Sequence, residues 1–458
     1  MKKKDGKDKT IGRIKTGALE RQWQMTRAGV TAGSKAGAQM WGSVFLGKEK
    51  RQARNSRILS QQAHYLADEL GKLKGSVVKI GQMIALYGEH VLPEEVTTAL
   101  RTLEEQTTAL AWPAIEKVLR QELGQRIDDF IIEKQPIGAA SLAQVHRAEH
   151  RATGRQLCLK IQYPGVADAI DSDFDSVVRL LRLGRLLSAD DTVQDWLEEV
   201  RSLLHHEVDY RREADMTRRF AAYLAHDPVL KVPQVIDEYC SGRLLVSTFE
   251  AGVAVSDVSV AAFSQVQRNA LGRAFLQLFL RELFEWGQLQ TDPNFGNYRI
   301  RLNDQGDGEI VLLDFGSVVD YDDGFLRPVR AMLLGAYRND LAAVRQGAID
   351  LGIMQVHYPD DVHQDFAALC CLLMEPFIHQ RNGCPPEAVN AAGEYRWEQS
   401  RLPRRAGKLA AKSAMSRYFA VPPKEFVFLS RKLLGVFSFI AALGAEFNPD
   451  GMLDAYLD

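Results

Sequence analysis

Two short motifs constrain this chain more than anything else in it: Asp292-Pro-Asn-Phe-Gly-Asn297, and, after the apolar run Ile310 to Leu313, the turn Asp314-Phe315-Gly316. The first sets an Asp and an Asn five residues apart; the second delivers another Asp at the end of a strand-like run. Oxygen ligands of this kind suit Mg²⁺, which takes a few carboxylate or amide oxygens and leaves its other positions to phosphates and water. Phosphoryl transfer asks little else of a protein beyond positioning and a carboxylate near the attacking oxygen. Singly, each of these residues reads as a turn former. In this order and spacing they outline a metal–phosphate site.

Composition narrows the class. The 458 residues, 46% hydrophobic and 25% charged, suffice for two or three packed units of an ordinary soluble protein. A net charge of −2 argues against nucleic-acid binding through overall charge. Five cysteines, Cys158, Cys240, Cys370, Cys371 and Cys384, form no CxxC pair. That count speaks against a disulfide framework or a zinc site and for a reducing, cytoplasmic setting. The start is basic, Met-Lys-Lys-Lys, with no apolar core or cleavage site after it, so no secretory signal is read. The longest apolar run, Gly435 to Leu443, is too short to span a bilayer.

Residues 1–55 form a basic, Gly/Ala-rich segment, of which about the first 25 residues read either as a contact to anionic lipid by charge or as a solubilising tail. Gly29, Gly33 and Gly37 recur on one helical face, where another backbone could approach closely, whether within the chain or from a second copy. Residues 56–130 read as a helical extension: Ile58 to Ala85, Glu94 to Leu103 and Pro113 to Leu123 keep helical spacing. At Phe130 the period changes to that of strands. Ile137-Gly-Ala-Ala-Ser-Leu-Ala-Gln-Val-His146 turns at Ala152-Thr-Gly154 and returns as Leu157-Cys-Leu-Lys160-Ile, a hairpin that puts a lysine on an apolar strand. An ammonium there needs a partner, because burying it unpaired is costly. The charged helix Leu197 to Phe220 offers Glu207, Asp209 and Glu213. Two further strands are expected over Lys231 to Glu250, then a linking segment at Thr248 to Gly252. From Ala261 the chain reads as helical except for a hairpin at Tyr298 to Leu313, and no internal repeat interrupts it.

With these motifs assembled, the chain resembles the UbiB/ADCK atypical kinase-like proteins tied to ubiquinone (coenzyme Q) biosynthesis, over residues 70 to about 440. Lys79-Ile-Gly-Gln82 is similar to the family's KxGQ motif, and Gly138-Ala139-Ala140-Ser141 to its alanine-rich nucleotide loop. Lys160-Ile-Gln-Tyr-Pro-Gly165 resembles its strand-lysine segment, and Glu207-Val-Asp209 its ExD motif. Gln290-Thr-Asp-Pro-Asn294 looks most like the mitochondrial ADCK branch.

The resemblance implies an α+β, bilobal protein-kinase-like fold with an N-terminal helical extension. Residues 131–250 would form a small β-rich lobe and 251–458 a helical lobe. It implies ATP or ADP with Mg²⁺ as cofactors, with Gly138 to Ser141, Lys160 and, at the adenine-side hinge, Glu250 binding nucleotide. Lys160 would pair with Glu213; Asn297 and Asp314 would hold Mg²⁺; Asp292 would stand as catalytic base. Lys79 and Gln82 would meet Glu207 and Asp209 in a regulatory contact that blocks peptide access. The implied activity is that of an ATPase-like factor acting on lipid or quinone precursors, not a protein kinase. Implied partners are a peripheral membrane surface, quinone-biosynthesis enzymes and a second copy of the chain, with no nucleic acid. A small-molecule kinase and a nucleotide-gated scaffold are the alternatives. Two departures stand out: Gly138 replaces the loop's first alanine, and no Ala-Pro-Glu segment follows Gly316.

Overall fold

The computed structural model describes residues 48–73, 75–88, 92–105, 109–184, 186–187, 191–414 and 423–456. The Lys-rich start and the Gly29, Gly33 and Gly37 face lie outside these residues. The chain divides into two compact units, Met1–Asp215 with Gln234–Phe249, and Met216–Pro233 with Glu250–Asp458. Residues 216–233, which the sequence placed in the β-rich part, thus count with the second unit.

In the first unit the expected helical extension comprises α1 (Lys48–Leu73), α2 (Ser76–Tyr87), α3 (Glu94–Arg101) and α4 (Trp112–Leu123). The apolar spacing suggested one helix through Ile58 to Ala85, but Gly75 adopts φ 63°, a left-handed conformation that separates α1 from α2. Helices α1 to α3 pack Leu66, Leu70, Ile80, Ile84 and Leu100 against α5 (Val166–Leu183) and α6 (Asp191–Glu207). Gly81 permits close packing there, since a Cβ would lie 2.4 Å from Leu103 Cδ1.

A second core lies under an antiparallel sheet of β1 (Phe130–Ile132), β2 (Gly138–Ala139), β3 (Ala143–His150), β4 (Gln156–Gln162) and, later in the chain, β6 (Leu244–Thr248). Helix α4 covers it with Ile115 and Leu119 against Leu157, Leu159 and Val246. Strand β4 alternates so that Leu157, Leu159 and Ile161 are buried while Cys158 and Lys160 are half-buried on the other face. The helix expected over Leu197 to Phe220 is two: α6 ends at Glu207, and α7 (Tyr210–Tyr223) begins after Asp209.

The second unit is mostly helical, as expected. Strand β5 (Leu230–Lys231) pairs parallel with β9 (Gly308–Leu312) in this unit and does not form a hairpin with β6. A parallel pairing between distant segments leaves no local signal. Strands β7 (Gln288–Gln290) and β10 (Val318–Asp320) pair antiparallel, as do β8 (Tyr298–Leu302) and β9. Helix α8 (Gln265–Phe284), started by a capping box between Ser264 and Gln267, is the central helix. The unit continues through α9 (Asp323–Arg338), α10 (Leu341–Asp350), α11 (Asp360–Leu373), α12 (Glu375–Asn382) and α13 (Leu402–Ala414) to α14 (Lys424–Ala442), which packs on α8. Their core includes Leu276, Phe279, Leu283, Trp397 and Phe437.

Candidate active site

In the first unit, strand register brings the loop and the lysine together. Gly138 on β2 faces Val145 on β3, and Val145 faces Lys160 on β4, so all three share one row across the sheet. Lys160 Nζ lies 2.6 Å from Glu213 Oε1, and the Glu213 side chain is only 4% exposed. Tyr210 places its ring 5.5 Å from the same ammonium. The pair is a charge-assisted hydrogen bond in a largely desolvated spot, which fixes where the ammonium sits. A Cβ at Gly138 would meet no atom within 4 Å, so steric demand does not explain the glycine.

Glu213 is placed by the helix break. The Asp209 Oδ1 accepts from the Arg212 N–H at 3.0 Å, and the Asp209 carbonyl accepts from the Glu213 N–H at 3.0 Å. Asp209 is therefore the N-cap of α7, and Glu213 projects from that helix's first turn. Gln162, at the end of β4, donates to the Val208 carbonyl at 3.0 Å and ties the same corner to the lysine strand.

The contacts of the KxGQ segment differ from those the resemblance implied. Lys79 Nζ does meet Glu207, at 2.8 Å. Gln82 instead turns to the nucleotide loop: its Oε1 accepts from Ser141 Oγ at 3.1 Å, and its Nε2 donates to the Leu103 carbonyl at 3.1 Å. Asp209 serves as a helix cap. One turn of α2 thus ties both the ExD corner and the small-residue loop.

In the second unit, the β8–β9 hairpin gathers a group of residues of its own. Tyr298 faces Leu312, and the Leu313 N–H donates to the Asn297 carbonyl at 2.9 Å, so Asn297 before β8 and Asp314 after β9 stand at the same end. Asn297 Nδ2 donates to Asp292 Oδ2 at 2.8 Å, and the Asn294 N–H donates to Asp292 Oδ1 at 3.2 Å. With its NH₂ given to Asp292, Asn297 presents its side-chain oxygen as the acceptor end. The Gly316 N–H donates to Asp314 Oδ1 at 2.9 Å, the turn that the Asp-Phe-Gly sequence favours. Between them Phe315, 1% exposed, packs its ring 4.7 Å from that of Phe220. Thr291 anchors the other flank, giving both its N–H and its hydroxyl to the Ser317 carbonyl at 3.1 and 2.8 Å. The Glu250 side chain is taken up by Arg301 at 2.8 Å.

Among the described residues no group of three or more His, Cys, Asp or Glu side chains is gathered for a metal. Asn297 and Asp314 offer hard oxygen donors only, a set that fits Mg²⁺ sharing its coordination with phosphates. Asp292, with both oxygens accepting hydrogen bonds, is held as an oriented carboxylate.

Sequence reasoning missed two side chains beneath this loop, Glu282 and Lys432, buried at 1% and 2% exposure beside Gln290, which it named and which is 4% exposed. The readable signal was Lys432, a lone cation within the apolar stripe Leu429, Leu433, Val436 of α14.

A small antiparallel sheet bearing a lysine–glutamate pair, and a helical unit bearing an Asp-x₄-Asn loop and an Asp-Phe-Gly turn, define a kinase-like protein. The match to known proteins is more specific: residues 102–348 match the ABC1 atypical kinase-like domain, and the chain belongs to that family. It is 30% identical over 388 residues to the mitochondrial atypical kinase COQ8 of Saccharomyces cerevisiae, covering 83% of this chain and 73% of the yeast protein. It is 29% identical to the Schizosaccharomyces pombe mitochondrial atypical kinase COQ8, covering 86% of this chain and 63% of that protein. A solved structure of the Mycobacterium tuberculosis protein Rv3197, in complex with erythromycin, matches with a TM-score of 0.58 at 22% identity, covering 90% of this chain and 98% of the other. That likeness is one of fold.

Proposed function

We propose that the protein binds Mg-ATP and hydrolyses it, in support of ubiquinone synthesis at a membrane surface. The observation that carries this reading is the Asp292–Asn297 pair standing at the same hairpin end as Asp314. Asn297 and Asp314 would hold Mg²⁺, which, when bound, offsets the negative charge of the phosphates. Lys160, fixed by Glu213, contacts the α/β-phosphates, and the backbone from Gly138 to Ser141 covers them. Asp292 orients the attacking hydroxyl or water and accepts its proton. The link to quinone chemistry is supported by similarity to COQ8 atypical kinases, and peripheral attachment fits the finding that no described helix is long and apolar enough to cross a membrane. The Gln82–Ser141 bond ties the extension to the loop that would cover the nucleotide, so the extension regulates turnover.

The experiment is steady-state ATP hydrolysis with Mg²⁺, with and without vesicles of phosphatidylcholine and cardiolipin and a phenolic mimic of a quinone precursor. Stimulation by vesicles and phenol supports the lipid-directed reading. Hydrolysis indifferent to both contradicts it.

A further inference from the structure

The loop that carries Asp292 rests on a buried polar network. Glu282 comes from the last turn of α8 and Lys432 from the middle of α14. Lys432 Nζ lies 3.2 Å from Glu282 Oε2 and donates to Gln290 Oε1 at 3.2 Å. The Tyr298 hydroxyl donates to the same Gln290 oxygen at 3.3 Å. Burial pushes the Tyr298 phenol up to about 12, so its hydroxyl keeps its proton at neutral pH. The neighbouring Glu282 carboxylate holds the Lys432 ammonium in its charged form against its burial.

Such a pair contributes little to stability for its own sake. Desolvating two charges costs as much as their attraction returns, and apolar replacements of both partners are often neutral or stabilising. What the ion pair adds is direction. It fixes an ammonium that grips Gln290, two residues before Asp292. One helical turn further along α14, Gly435 meets the other side of the loop: a Cβ there would lie 2.3 Å from Pro293 Cβ. Residues three apart share a helix face, so a single face of α14 holds the loop immediately before and immediately after Asp292.

We propose that Lys432, held by Glu282, is a positioning residue that sets the place of Asp292 through Gln290. The inference rests on the phosphoryl-transfer reading of Asp292. Its signature is a loss of turnover much larger than any loss of nucleotide binding, because Asn297 shares the loop but Lys160, Glu213 and the small-residue loop lie on other elements.

The test compares the wild type with Lys432→Met/Glu282→Leu, which removes both buried charges together, and with Gln290→Met, which cuts the side-chain link to Lys432 but leaves the ion pair and the Gln290 backbone contact to Glu282 intact. Melting temperature, Mg-ATP affinity, kcat and hydrogen exchange of the peptide covering residues 290–297 are read for each. Both variants are expected to fold and to bind Mg-ATP within about twofold of wild type, while kcat falls by about 10²-fold, the scale of an ångström-sized misplacement. Exchange over the Asp292 peptide should rise by about tenfold with α8 and α14 still protected. Wild-type exchange and kcat in a folded Gln290→Met overturn the proposal. If exchange rises as expected but the wild type has no Asp292-dependent hydrolysis, the positioning stands and the phosphoryl-transfer reading falls.

Discussion

Gln82 Oε1 accepts a hydrogen bond from Ser141 Oγ at 3.1 Å, joining the helical extension to the small-residue loop across 59 positions of sequence. Removing that bond should loosen the loop in the absence of nucleotide. Gln82→Leu is expected to weaken Mg-ATP binding by about three- to tenfold, the equivalent of one hydrogen bond at about 1 kcal/mol. Calorimetric titration checks it, and unchanged affinity would show that the bond does not preorganise the loop.

Asp209 caps the helix that carries Glu213. Asp209→Ala should cost about 1 kcal/mol of stability, whereas Asp209→Asn, which keeps a capping oxygen, should cost a few tenths. Denaturant unfolding of both variants measures the difference. Equal losses would mean that the carboxylate charge matters more than the cap.

Gly435 is where α14 touches Pro293, and the nearest atoms belong to a rigid ring. Gly435→Ala must shift that loop or the helix, with a stability loss of about 1–3 kcal/mol. Because the shift falls beside Asp292, hydrolysis should drop further than the change in folded fraction explains. Activity that tracks the folded fraction alone would contradict this.

His146 is fully buried on β3, with Nδ1 facing the Glu133 carbonyl at 2.7 Å and Nε2 facing the Gln144 amide at 2.8 Å. The neutral ring satisfies both contacts, and burial holds its pKa below the usual histidine value. Its folded pKa is therefore lower than the unfolded value of about 6.5, so stability is present above that pH and lost as pH falls below it, by at most about 1.4 kcal/mol per pH unit for one proton. Burial shifts His206 and His363 in the same direction. The melting temperature should fall from pH 7.5 to 5.5, and by less in His146→Gln. Parallel falls in the two proteins would exclude His146 as a contributor.

What could be read in the sequence was set by range. Asp292, Asn297 and Asp314 were legible because a five-residue spacing and one hairpin assemble them locally. Lys160 was legible as a cation on an apolar strand, and Glu213 as one of three helical carboxylates able to answer it, singled out by the family resemblance. The partner of Gln82 was not, since nothing near it in sequence points to Ser141. The break between α6 and α7 hid behind continuous helical periodicity, although Asp209 is a strong N-cap residue. The Lys432–Glu282 pair joins two helices about 150 positions apart, and only the anomaly of a lysine in an apolar stripe marked it.

The central claim is that Asp314 serves Mg-dependent hydrolysis of ATP, and the most direct measurement is phosphate release by the purified full chain and by Asp314→Asn. Wild type should turn over ATP slowly, only with Mg²⁺, and Asp314→Asn should lose at least about 10²-fold while melting within a few degrees of wild type. Equal rates in the two proteins, or hydrolysis that persists without Mg²⁺, would contradict the account.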